Sequence, residues 1–192
     1  MVQSNPFTHY AHRLVEALQN FDWAPVERLA VELQSVWEAG GHLFLCGNGG
    51  SAGNALHLAN DFLYGIGKPE GIGLRVTALN ANPSVLTCLA NDLGYDKVFS
   101  AQLKVLARPG DMLIVLSGSG NSPNLVGALE MARSLGVRTA AVLGYDGGRC
   151  REMADTVVHF AVADMQIAED LQLVVGHMLM QWLQQHRPSP SP

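Results

Sequence analysis

Cysteine is scarce: Cys46, Cys88 and Cys150 are odd in number and none stands in C-x-x-C spacing. That excludes a disulfide framework and a cysteine-rich zinc site. Cations are scarce too, with 12 lysines and arginines against 17 aspartates and glutamates and a formal net charge of -5. They form no cluster and no aromatics interleave with them, which excludes a direct nucleic-acid groove. No apolar run approaches the length of a membrane span, and the opening MVQSNPFTHYAHRL carries His, Asn and Arg where a signal peptide needs an apolar stretch. A cytoplasmic protein with no membrane partner is expected. The G-x-x-x-x-G-K-[ST] loop is missing, which removes ordinary nucleotide hydrolysis, and neither an internal repeat nor a domain linker is visible.

What is present is core-forming residues, 48% hydrophobic and 15% charged over 192 positions. That supports one α/β domain with a helical extension and excludes two full domains. We expect the domain over residues 1–186 and a disordered tail over 187–192, RPSPSP. Phe7, Tyr10, Ala11, Leu14, Ala17, Leu18 and Phe21 recur at helical spacing, and after Pro25 a second stripe follows in Val26, Leu29, Ala30, Leu33, Val36 and Trp37. From His42 the pattern changes to short apolar runs, HLFLC, LRVTAL, DMLIVLS, VRTAAVLG and TVVHFAV, alternating with helical stretches. This predicts a doubly wound parallel sheet of five strands, covered on both faces. Residues 165–185 are apolar nearly all round, which predicts a helix buried on more than one side, against another subunit as well as its own sheet.

Two of these strands run into small-residue turns that open helices, CGNGGSAGNALHLAND over 46–61 and LSGSGNSPNLVGALEMA over 116–132. Glycines such as Gly49, Gly50 and Gly118 let the backbone approach a ligand, while hydroxyls and free helix N–H groups supply donors for an anion. The bland alternative is a pair of tight turns. In a doubly wound sheet both loops lie at one edge and can share a ligand. GNGGSA also fits a loose dinucleotide fingerprint, but LRVTAL runs into Asn80 and Asn82 rather than the acidic residue that would hold a ribose. Nicotinamide chemistry is discounted.

His57 and Asp61 are four apart on the helix after the first loop, and Glu169 and His177 are eight apart on the last, within about 80° around the axis. Together they make a candidate zinc site drawn from two helices, set against the plain reading of hydrogen-bonded histidines. His9, His12, His42, His159 and His186 lack a partner at ligand spacing, and Cys46 reads as a packed thiol.

CGNGGSA, LSGSGNSPN and the intervening LANDLGYD resemble the sugar isomerase (SIS) fold, in its phosphoheptose isomerase branch, over residues 7–183. The resemblance implies a homotetramer that converts sedoheptulose 7-phosphate to D-glycero-D-manno-heptose 7-phosphate for bacterial surface lipopolysaccharide, commonly with zinc. It implies that Ser51, Ser117, Ser119 and Ser122 bind the sugar phosphate, with Asn48 and Asp92 near the substrate. The chain departs from the family at Asp61, where Glu is usual, at Glu169, where Gln is usual, and at Gln166, a substrate-side position where Asp is frequent. The chemistry expected is proton transfer between C1 and C2 through an ene-diol, with Asp61 or Glu169 as base, His177 as proton shuttle and a metal held with His57. Two other readings stay open: isomerisation of another ketose phosphate, and a non-catalytic SIS adaptor that binds a replication initiator or senses phosphosugars.

Overall fold

The computed structural model describes residues 5–69 and 72–188, so residues 189–192 of the expected tail and the first four of the opening segment lie outside the described residues. The elements run α1 (Pro6–Gln19), α2 (Ala24–Glu38), β1 (His42–Gly47), α3 (Gly50–Leu63), β2 (Arg75–Ala78), α4 (Pro83–Leu93), α5 (Ser100–Leu106), β3 (Met112–Ser117), α6 (Pro123–Ser134), β4 (Arg138–Leu143), α7 (Gly148–Met153), β5 (Thr156–His159) and α8 (Met165–Gln185). The five expected strands form one parallel sheet in the order β2-β1-β3-β4-β5.

The strands alternate between two cores, as a period of two residues requires. Leu43, Leu45, Met112, Ile114, Leu116, Ala140 and Val142 enter one core with α2, α3 and α8, whereas Phe44, Cys46, Leu113, Val115, Ala141 and Leu143 enter the other with α5 and α6. Both faces are covered, which is why the strands read as nearly continuous apolar runs. The α2 stripe is buried as its spacing foretold, from Val26 to Trp37; each large side chain so buried contributes about 1.5–3 kcal/mol.

Helix α1 buries no residue fully, but Tyr10, Leu14, Ala17, Leu18 and Phe21 pack on the first core. Two polar contacts pin it to α8: Tyr10 Oη donates to Asp170 at 2.5 Å, and Arg13 pairs with Asp164 at 2.6 Å. Helix α8 is not enclosed all round within this chain. Ile167, Leu171, Val175, Leu179 and Leu183 are buried, whereas Met165 and Met178 are exposed.

Helices α3 and α8 run side by side in the same direction. Asn54 meets Gln172, His57 meets His177, and Leu58 fills the space that a Cβ on Gly176 would take. This pairing aligns the site.

Candidate active site

In the strand order β2-β1-β3, the chain leaves β1 toward one side of the sheet and later returns to β3 on the other. Such a switch point opens a crevice at the carboxyl ends of the two strands. Both glycine-serine loops flank it: β1 feeds α3 and β3 feeds α6. Gly49, with φ of 55°, makes the turn into α3, and neither α3 nor α6 receives a side-chain cap, which leaves the Gly50 and Ser51 N–H groups of α3 and the Asn124 N–H of α6 to face an anion. By contrast, α4 and α8 are capped by Asn82 and Asp164. Among the uncapped helix starts, these two are the ones that follow the glycine-serine loops.

Side chains join the two loops. Asn48 and Asn124 exchange reciprocal amide hydrogen bonds of 2.9 Å, and Tyr95 Oη donates to Asn48 Oδ1 at 2.9 Å. Asn48 is thus a clamp, with its carbonyl oxygen fully engaged. Ser117 is buried and accepts from the Gly120 N–H at 3.0 Å, Ser119 accepts from the Asn121 N–H at 3.4 Å, and Ser122 heads α6. The Met165 thioether covers Gly118, leaving no room for a Cβ there.

A second cluster lies farther along the α3–α8 contact. Gly50, Asn54, His57 and Asp61, at intervals of four, three and four, form the stripe of α3 that looks toward α8. His57 Nε2 is 2.9 Å from His177 Nε2, and Asp61 Oδ2 lies 3.3 Å from the first and 3.5 Å from the second. A tetrahedral zinc ion with ligands at about 2.0–2.1 Å holds them about 3.3 Å apart, so this donor set fits a divalent cation. Both imidazoles are about half exposed, and Asp61 is largely covered.

Glu169 is not part of that cluster. Its carboxylate covers Gly50 at the start of α3, occupying the place a Cβ would take. The physical reason is rise: eight residues bring Glu169 and His177 near one face but separate them by about 12 Å along the helix. Asp92 is exposed on the last turn of α4, where it accepts from Cys88 and Asn91 of its own helix. Gln166 is exposed in the first turn of α8. The cluster and Glu169 thus lie along the α3–α8 contact, whereas Asp92 is exposed on α4 and Gln166 at the start of α8.

Four residues with clear roles were not singled out by sequence: Asn54, Tyr95, Asn124 and Gln172. Asn124 and Tyr95 sit inside LSGSGNSPN and LANDLGYD, so their signal was present as motif membership. Gln172 had only its polarity, on a helix that carries several other polar residues. No thiol is poised as a nucleophile, since burial pushes Cys46 and Cys150 up and the hydrogen bond to Asp92 raises Cys88.

The sheet order, the paired anion loops and the family comparison agree on a class. Residues 6–144 match the SIS domain model, and this is a SIS-domain protein. A phosphoheptose isomerase from Chlorobaculum parvum is 40% identical over 179 residues, covering 90% of this chain and 83% of that one. One from Akkermansia muciniphila is 38% identical over 156 residues, 80% of this chain and 81% of the relative. The solved phosphoheptose isomerase of Neisseria gonorrhoeae, 28% identical, superposes with a TM-score of 0.85 over 95% of this chain and 98% of its own. Within the SIS class the chain belongs to the phosphoheptose isomerase family, which are aldose–ketose isomerases.

Proposed function

We propose that the chain interconverts sedoheptulose 7-phosphate and D-glycero-D-manno-heptose 7-phosphate, with the phosphate at the two loops and the reacting carbons at His57, Asp61 and His177. One observation supports the reading: the glycine-serine loop that opens α3 and the His57–Asp61–His177 cluster stand on the same helix, at its contact with α8. From Ser51 to His57 is about 9 Å of helix rise, comparable with the span of an open-chain seven-carbon sugar phosphate whose reacting end is remote from its phosphate.

Asp61 is the carboxylate at that far end, and its position favours it over Glu169 as the base. It turns Oδ2 to the histidines and keeps Oδ1, approached by Asn60 at 3.3 Å, for a carbon-bound proton. Asp61 removes a proton from C1 of the ketose, the electrons form the ene-diol as the C2 carbonyl oxygen is protonated, and O1–H gives up its proton as C1 becomes the aldehyde and C2 takes back hydrogen. His177 moves the oxygen protons, with His57 beside it. His57, Asp61 and His177 would also hold zinc; when bound, zinc polarises the carbonyl oxygen.

The wider reading is a single SIS domain over 1–186 acting as a cytoplasmic homotetramer, on the route to surface lipopolysaccharide. Helix α4 buries none of its residues, and Leu56, Leu63, Tyr64, Leu93 and Met178 are exposed, which supports cover by further copies. A non-catalytic sensor has no physical need for a carboxylate set between two imidazoles.

The deciding experiment is turnover of sedoheptulose 7-phosphate, with other ketose phosphates alongside, by zinc-loaded wild type, Asp61→Asn and His177→Gln. A fall of roughly 10²- to 10⁴-fold in kcat for each variant is expected. Normal turnover by both would remove the assignment, and inertness of wild type toward every ketose phosphate would favour the sensor.

A further inference from the structure

Ser51, 3% exposed, stands in the first turn of α3, and its Oγ lies 3.0 Å from the carboxamide of Gln172, which is 1% exposed on α8. A main-chain carbonyl fixes which end of that amide faces the serine. The Glu169 carbonyl can only accept, so the Asn54 group 2.9 Å from it is the NH2. The same Asn54 nitrogen lies 3.0 Å from Gln172, which therefore presents Oε1 to Asn54 and Nε2 to Ser51. Ser51 Oγ thus accepts a hydrogen bond from Gln172 Nε2 and must direct its own O–H elsewhere. Among the described residues no acceptor takes that proton. A nine-tenths-buried hydroxyl with an unspent donor, in the first turn of an uncapped helix, is a group waiting for an acceptor.

We propose that Gln172 is a positioning residue for phosphate: it holds the Ser51 hydroxyl as a donor only, so that the loop takes a group whose oxygens all accept, an ionised phosphate monoester. This deepens the phosphosugar reading and rests on it. Gln172 lies between Glu169 and His177 on α8, so the same hydrogen bond sets the anion loop against the helix that carries His177. The loop and the acid/base cluster are registered to each other through one buried amide.

A purely structural amide, holding α3 to α8, would affect stability without acting through Ser51. Inorganic phosphate is the probe that separates the two, measured by calorimetry on wild type, Ser51→Ala, Gln172→Met and the double variant. Each single variant is expected to weaken phosphate roughly ten- to hundredfold, and the double variant to be no weaker than Ser51→Ala alone, because Gln172 acts only by orienting the Ser51 donor. Gln172→Glu keeps the size of the side chain and the bond from Asn54 but accepts the Ser51 proton. It should weaken phosphate at least as much, raising KM for the sugar phosphate more than it lowers kcat. Undiminished phosphate affinity in Gln172→Met or Gln172→Glu overturns the proposal, as does a Gln172→Met effect that persists in full in the Ser51→Ala background. If Gln172→Met does not fold, Gln172→Glu with its melting curve decides the matter. Wild type that binds no inorganic phosphate sinks the phosphosugar reading together with this one; wild type that binds it while Ser51→Ala binds equally well sinks this one alone.

Discussion

Tyr10 shows how one side chain ties an outer helix to the site-bearing one. Its hydrogen bond to Asp170, aided by burial, pushes the phenol up to about 12 from 10.0. The folded state prefers the neutral phenol, so the contribution is complete below the unfolded value and is lost as pH rises from about 10 toward 12. Wild type should therefore lose melting temperature across that interval more steeply than Tyr10→Phe, with the two curves converging at the alkaline end. Parallel melting curves at every pH would show that the Tyr10–Asp170 bond does not hold α1 in solution. At the same scale, Asp61 and Glu169 illustrate two fates for a carboxylate. One lies between two imidazoles and the other over a helix N-terminus, where a negative charge is favoured.

The α3–α8 pair is the element that brings His57, Asp61 and His177 together. Gly176 lets Leu58 sit where a side chain would be, and His177, the next residue, meets His57 across the same contact. Gly176→Ala introduces a methyl into that packed space and should destabilise the fold by about 1–3 kcal/mol. Because it also pushes the two helices apart beside the histidines, it should weaken zinc binding, read by titration of the metal-stripped protein. A variant with lowered melting temperature and unchanged zinc affinity would show that the metal is held elsewhere. The two loops act as a second element. The Asn48–Asn124 pair spans the switch point, so the separation of the α3 and α6 N-termini is set by side chains.

Across the whole molecule, one face of the sheet is closed by long helices and the other by short ones, and α4 buries none of its residues. Exposed apolar residues on α3, α4 and α8 predict self-association: sedimentation should give a species of several copies, and a monomer at micromolar concentration would overturn the tetramer reading. No helix among the described residues is long and apolar enough to cross a membrane.

Periodicity was enough to read the strands, the two leading helices and the last helix, because burial on both sheet faces and on one helix stripe writes its period directly into the order of apolar residues. The two glycine-serine loops were legible as strand-to-helix turns for a similar reason, since small residues mark where the chain reverses before a helix start. Spacing also marked His57, Asp61 and His177, whose convergence follows from helical geometry once two helices lie side by side. It also paired Glu169 with His177, and there the structure sets the carboxylate at the start of α3, since angle around a helix can be read from spacing alone but the partner that a side chain meets depends on rise and on the neighbouring helix. Asn54, Asn124, Tyr95 and Gln172 were hidden more deeply. A polar residue among apolar neighbours acquires its role only from the acceptor or donor that folding sets opposite it, and the partners of Gln172 and Asn124 stand 121 and 76 residues away in the chain.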